Sequence, residues 1–307
     1  MRRSFCHRWE AESPMDGILN IHKQSGMTSH DVVQAVRRIL KEKRIGHTGT
    51  LDPMATGVLV LCVGKATRIA QYLEAGEKEY QAVMRLGQTT DTLDAEGRVL
   101  ETRTYAPPDR AQVLKALEGF TGAIMQQPPA YSALKVAGVP SYKLARQGKA
   151  EPLKPRSVTI SSIELQAFDD PLLSLAVRCS KGVYIRTLCA DLGEVLLAGA
   201  HLTKLVRTRS GRFTIDHAVT LDRLAALVAA GTLDQTLVSM DEALADMPSV
   251  ALNELEAGRI LHGNSVPWLG DASITGSLML RIHDPSGRLL ALGKQVRGDI
   301  RPELVFS

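Results

Sequence analysis

Residues 46–59 read GHTGTLDPMATGVL, and how this stretch is read decides what the rest of the chain can be. Glycines and threonines crowd one carboxylate, Asp52, which is followed at once by Pro53. The nearest acid before it is Glu42, and none lies within the twenty residues after it. Acid–base work by paired carboxylates needs two groups with separated pKa values. A metal centre needs several ligands at close spacing. The stretch offers neither. It runs directly into TGVLVLCVG (56–64), where six of nine residues are large and apolar or cysteine, the pattern of a buried strand.

The bulk composition narrows the field without deciding it. A chain of 307 residues suits one large domain with a small one, or two medium domains. The 37 Lys+Arg against 33 Asp+Glu give a formal charge of +4, which permits a polyanionic partner but does not demand one. Four cysteines (Cys6, Cys62, Cys179 and Cys189) form no Cys-x-x-Cys pair, so neither a zinc knuckle nor a disulfide framework is indicated. The eight histidines show no His-Glu-x-x-His spacing, and no Gly-x-Ser-x-Gly is present to anchor a serine nucleophile. GHTGT lacks the Lys-Ser/Thr that a phosphate-binding loop carries after its final glycine. No run of eighteen apolar residues exists. MRRSFCHRWEAESP starts basic but has no apolar core of a secretory signal, so a cytoplasmic location is expected, with residues 1–15 a disordered extension.

Periodicity places the elements. DGILNIHK (16–23) reads as a strand, and TSHDVVQAVRRILKEK as a helix capped by Thr28 or Ser29 and stopped by Gly46. KATRIAQYLEAG reads as a short helix. KEYQAVMRLG (78–87) alternates, with Tyr80, Ala82, Met84 and Leu86 on one face. Pro107-Pro108 opens a helix through Leu117, with Val113, Leu114 and Leu117 inward. Residues 121–155 are rich in Pro, Gly, Gln and Lys and lack continuous periodicity, the mark of a functional or mobile segment. RSVTISSIELQAF, LLSLAVRCSKG and HLTKLVRTRSGRF read as strands. YIRTLCADLGEVLL reads as a helix with Ile185, Leu188, Leu192 and Val195 inward. A helical, acidic connector over 214–245 leads to a small β-rich region with a hairpin turning at Asp284-Pro285-Ser286-Gly287.

Single-carboxylate chemistry is what remains. A lone aspartate can act as a nucleophile when a cation keeps it ionised and oriented. Arg186 in KGVYIRT, two residues after Tyr184, is the richest candidate for that cation. A glycosidase-like second acid would have to come from Asp91, Asp94 or Asp191, and the first two sit in TTDTLDAEG, which reads as a turn.

The blocks taken together resemble one family. RIGHTGTLDPMATGVLVLCVGKATR, NIHKQSGMTSHDVV (20–33), GQTTDTLDAEG (87–97), QPPAYSALKVAG with YKLAR, KGVYIRTLCADLG (181–193) and AHLTKLVRTRSGRF (200–213) occur in the order seen in the TruB family, which isomerises uridine-55 of tRNA. The resemblance runs from about residue 16 to 215 and departs at Gln24, where the family usually has proline, and at Val183, where threonine is usual.

It implies an α+β pseudouridine synthase fold with a mixed, mostly antiparallel sheet flanked by helices. The catalytic domain would span 16–245, and a PUA-like RNA-binding domain 246–307. Asp52 would be the catalytic carboxylate and Arg186 its partner. His47 would help extrude the target base, Tyr80 stack on it, Tyr184 and Leu205 line the pocket, and Lys23 lie near the site. Residues 121–155 would clamp the T-arm of tRNA. Lys23, Lys65, Arg68, Lys135, Lys143 and Arg146 form the set expected on phosphates. No metal, cofactor or obligate protein partner is implied, and a monomer is expected. Competing readings are a non-catalytic RNA-binding module, a guide-RNA-dependent relative and a two-carboxylate glycosidase. Addition to a ring carbon and attack on the anomeric carbon both remain open to Asp52.

Overall fold

The computed structural model describes residues 15–149, 151–268 and 278–306. Of the expected N-terminal extension, residues 1–14 lie outside these ranges. The chain opens with β1 (Gly17–Lys23), α1 (Ser29–Leu40), β2 (Ile45–His47) and β3 (Thr56–Val63). Thr28 and Asp31 form a capping box at the start of α1. The helix ends at Lys41 in the left-handed region (φ 54°), five residues before the expected stop at Gly46, which lies in β2. A 3-10 turn over Gly64–Ile69 runs into α2 (Ala70–Glu74), and β4 (Lys78–Leu86) follows. A hairpin of β5 (Gln88–Thr90) and β6 (Val99–Thr102) leads to α3 (Arg110–Glu118), whose cap is Asp109 rather than the prolines before it.

The insertion is less irregular than its sequence indicates. It contains β7 (Gly122–Gln126), a small hairpin of β8 (Lys135–Val136) and β9 (Val139–Pro140), and α4 (Ser141–Arg146). Next come β10 (Arg156–Asp169), β11 (Leu172–Cys179), α5 (Ile185–Val195), β12 (Ala200–Ser210) and β13 (Phe213–Thr214). The connector holds α6 (Leu221–Ala229) and α7 (Met240–Ala243). The last elements are β14 (Ser249–Ala251), α8 (Glu254–Leu261), β15 (Val266–Pro267), β16 (Met279–His283), β17 (Leu289–Val296) and β18 (Asp299–Val305).

The main sheet runs β1-β3-β12-β4-β11-β10-β7, with β2 on β3 and β13 on β12. Only the β3–β12 pairing is parallel, so the sheet is mixed and mostly antiparallel, as expected. The unbroken apolar run of β3 has a physical cause: both faces of this strand are covered. Leu59, Leu61 and Val63 join a core with residues of α1, α3, α5 and α6. Val58, Val60 and Cys62 point the other way, toward Phe213, Leu244 and Leu292. Leu292 belongs to β17, so a strand of the second, five-stranded sheet (β14-β16-β17-β18-β15) completes the packing over β3. That sheet also has its own core of Leu252, Ile260, Leu280, Ile282 and Ile300. Val195 and Leu114, expected inward, are exposed at 57% and 44%; the first ends its helix, and the second sits on the outer side of a short one.

Candidate active site

Asp52 lies in the loop between β2 and β3, and the loop is held almost atom by atom. Every carbonyl from Gly49 to Ala55 accepts a hydrogen bond. Arg207 Nη2 and Nη1 donate to those of Gly49 (3.2 Å) and Thr50 (3.5 Å). Ser29 Oγ donates to Leu51 O at 3.2 Å and accepts Leu51 N–H at 2.8 Å. Ala55 N–H donates to Asp52 O, and Gly26 N–H to Pro53 O. Ser25 Oγ donates to Met54 O. Lys23 Nζ donates to Pro53 O (3.0 Å), Ala55 O (2.6 Å) and Gln24 O (3.0 Å). At the loop's exit, Gly57 has φ +101°, and a Cβ there would stand 2.2 Å from Arg207 O. Glycine is therefore required by both conformation and space.

This geometry corrects the expectation for Lys23. It is fully buried, and its three N–H groups are used by loop carbonyls, so it braces the Asp52 loop and does not face a ligand. Burial pulls its amine down to about 8, with the nearby Asp52 carboxylate acting in the opposite direction.

Behind Asp52 stands Arg186, in the first turn of α5. Its Nη2 donates to Asp52 Oδ1 at 2.9 Å. Its Nε makes a second 2.9 Å ion contact to Oδ2, outside hydrogen-bond geometry. Nη1 donates to Thr92 O (3.0 Å) and Nη2 also to Tyr131 O (2.9 Å). A second acid is present in space. Asp94 Oδ2 lies 3.6 Å from Arg186 Nη1. The guanidinium side chain is only 4% exposed, while that of Asp52 is 30% exposed. The cation is thus buried, while the carboxylate keeps partial exposure to solvent. Burial raises the Asp52 carboxyl above the ordinary range; Arg186 opposes this, and the charge of Asp94 adds to the rise.

The other expected residues surround this pair to different degrees. Tyr80 is half-buried on β4, directly opposite Arg207 of β12, and Leu205 faces Ala82 one pair further along the same face. Burial pushes the Tyr80 phenol up, and the adjoining Arg207 guanidinium pulls it down. His47 ends β2; its Nδ1 accepts Gly49 N–H at 3.3 Å, and burial followed by the charge of Arg207 lowers its pKa. Tyr184 immediately precedes α5, two residues from Arg186. Among the expected phosphate contacts, Lys135, Lys143 and Arg146 are exposed on the insertion, with Arg146 over the Tyr142 ring at 5.6 Å. Arg68 is used otherwise, donating to Val305 O at 2.7 Å and covering the Phe306 ring.

Sequence reasoning passed over Arg207 and set Asp94 aside. Arg207 is 2% exposed and also donates to Val58 O at 2.7 Å. Its signal was a charge in a buried strand, which must find partners. Asp94 does serve its turn, accepting from Thr92 Oγ1 and Glu96 N–H through Oδ1, and its other oxygen reaches Arg186. Among the described residues no group of three or more His, Cys, Asp or Glu is arranged to hold a metal ion, and no helix is long and apolar enough to cross a membrane.

Comparison with known proteins places the chain in a family. The family model described as TruB family pseudouridylate synthase (N terminal domain) matches residues 37–185. The tRNA pseudouridylate synthase B C-terminal domain matches 186–245. A Burkholderia lata protein named tRNA pseudouridine synthase B is 45% identical over 291 residues, covering 94% of this chain and 89% of its own. A Thermobifida fusca protein of the same name is 44% identical over 301 residues, covering 95% and 99%. Among solved structures, a chain of a Cbf5–Nop10–Gar1 complex superposes with a TM-score of 0.76 at 28% identity, covering 95% of this chain and 85% of that one.

Proposed function

The chain belongs to the TruB family of pseudouridylate synthases, and from that premise we propose that it isomerises a uridine of tRNA, position 55 in the T-loop, to pseudouridine. The reaction breaks the bond from the base nitrogen to the anomeric carbon and forms one from a base carbon. A proton moves from that carbon to the freed nitrogen. Atoms and electrons then balance without redox chemistry or hydrolysis, and one carboxylate suffices. The observation that carries the reading is the division of labour in the pair: an accessible Asp52 held by a buried Arg186.

Arg186 favours the ionised form of Asp52 against its burial and holds both carboxylate oxygens in place. The target base must leave its stack first, at a cost of a few kcal/mol. Tyr80 supplies a ring to receive it, worth roughly 1–3 kcal/mol. His47 stands at the start of the loop to help extrude the base, and Tyr184 and Leu205 bound the pocket. Lys135, Lys143 and Arg146 on the insertion engage the T-arm backbone, so affinity falls steeply with salt. Residues 246–307 serve as an RNA-binding module of the PUA type.

The test is incubation of purified protein with unmodified tRNA followed by mapping of pseudouridine. Asp52→Asn, nearly isosteric, should retain tRNA binding and lose turnover. Activity within about tenfold of wild type would sink the role given to Asp52. Modification at another position would sink the assignment of position 55, and free uracil would point to a glycosidase.

A further inference from the structure

The reaction above depends on Arg186, and therefore on whatever fixes the end of α5 that carries it. No side chain of Tyr184, the residue before the helix, caps that end. The backbone of Tyr184 is gripped from outside instead. Gln126, the last residue of β7, is 2% exposed. Its Nε2 donates to Tyr184 O at 3.1 Å, and its Oε1 accepts Tyr184 N–H at 2.8 Å. The side-chain amide thus imitates one rung of a strand ladder. Arg156, its partner in the β7–β10 register, sets its guanidinium 5.9 Å from the centre of the Tyr184 ring, within cation–π range. Gln126 and Arg156 are the two stems between which the rest of the insertion is strung. From inside that span, Tyr131 O accepts from Arg186 itself.

We infer that Gln126 is a positioning residue for the isomerisation: it fixes the first turn of α5 so that Arg186 meets Asp52, and it ties that alignment to the base of the insertion. Two opposed hydrogen bonds to one residue restrain both of the peptide planes that flank its Cα. Without them the part-buried Tyr184 N–H loses its partner and its C=O keeps only Leu188 N–H, so the turn moves to recover the lost bonds. The Asp52 contact at 2.9 Å leaves little room for such movement. The inference rests on the functional reading given above.

A bond that only stabilised the fold would change the melting point and leave the rate of folded protein intact. Two readouts separate the cases: the single-turnover rate at saturating enzyme, set against tRNA affinity, and the acid limb of its pH profile. Arg186 opposes burial in setting the Asp52 carboxyl, so loosening it moves that limb to higher pH. Full-length Gln126→Met, which removes both bonds at similar length, should lower the single-turnover rate roughly 10- to 100-fold, with unchanged tRNA affinity and a shifted limb. A folded variant with the wild-type rate and an unmoved limb overturns the inference. Should Gln126→Met not fold, Gln126→Glu retains length and one acceptor but replaces the donor with a titratable carboxyl oxygen, and is judged by the single-turnover rate set against tRNA affinity. If the wild-type protein makes no pseudouridine, the functional reading fails and this inference with it. An active wild type with an indifferent Gln126 variant overturns this inference alone.

Discussion

Raising the pH from 7 to 9 should stabilise this fold, and the buried ionisable groups set the size of the effect. Lys23 and Lys78 are 0% and 4% exposed, with carbonyls as their acceptors. Burial brings each amine from 10.5 down to about 8. The unfolded chain keeps these protons until about pH 10.5, whereas the folded chain releases them near 8, so stability rises with pH across that window. Cys62, Cys179 and Cys189 act in the opposite sense. Burial pushes each thiol from 9.0 up to about 12, so the unfolded chain ionises first and stability falls from pH 9 upward. Each such group changes stability by at most about 1.4 kcal/mol per pH unit. From pH 7 to 9 the two lysines contribute about 3 kcal/mol and the three thiols remove about 1, a net gain of about 1–2 kcal/mol. Beyond roughly pH 9.5 three thiols outweigh two ammonium groups and the curve turns down. Urea midpoints measured at constant ionic strength, with reductant, trace this curve directly. Lys78→Met should remove most of the rise, because the one lysine that remains is nearly cancelled by the three thiols. Stability that stays level or falls between pH 7 and 9 would refute the reasoning.

Three further outcomes follow from the site. Asp94→Asn keeps the turn's shape but removes a charge that raises the Asp52 carboxyl, so the acid limb of the single-turnover rate should move to lower pH. Stability should fall by about 1–3 kcal/mol; an unmoved limb would show that the two acids are not electrically linked. Gly57→Ala places a Cβ 2.2 Å from Arg207 O at φ +101°, and should cost at least about 2 kcal/mol in urea unfolding. A wild-type midpoint would mean that β3 and β12 can part there without penalty. Arg207→Met strips donors from the carbonyls of Gly49, Thr50 and Val58. It should lose about 3–5 kcal/mol of stability and slow single turnover while tRNA binding persists. An unchanged rate in the folded variant would show that the Asp52 loop holds its shape from the other side.

Elements with a clean period were legible in the sequence. The run in β3 marked a buried strand, and Tyr80, Ala82, Met84 and Leu86 marked the inward face of β4. The partners of the Asp52 loop were harder to read, because they are set by tertiary approach. Arg207 shows why. The β12 ladder slips between Leu202 and Lys204 and again between Arg207 and Arg209, so simple alternation cannot tell which of its arginines turns inward. Arg209 faces Glu77 and Glu79 on the exposed side, while Arg207 is buried. Lys23 was misassigned for a related reason. A lysine at the end of a strand beside a polar loop reads as a solvated charge, and only the loop's return over it shows three carbonyls waiting. Gln126 carried no signal at all, since its two bonds go to backbone.

Asp94 changes how the isolated aspartate of GHTGTLDPMATGVL should be understood. The motif holds one acid, but the site holds two acids around one guanidinium, a net charge of −1 if both are ionised. A carboxylate neutralised wholly by its own arginine would be drawn to low pKa, and a weakly basic oxygen is a poor nucleophile. Sharing Arg186 with Asp94 leaves Asp52 incompletely compensated, and partial burial then raises its carboxyl above the ordinary range. Arg186 is anchored independently through Thr92 O and Tyr131 O, so this sharing does not leave it free to follow either acid. The arrangement separates two demands that a single ion pair would set against each other: a fixed position for the Asp52 carboxylate, and enough basicity for the attack proposed for it.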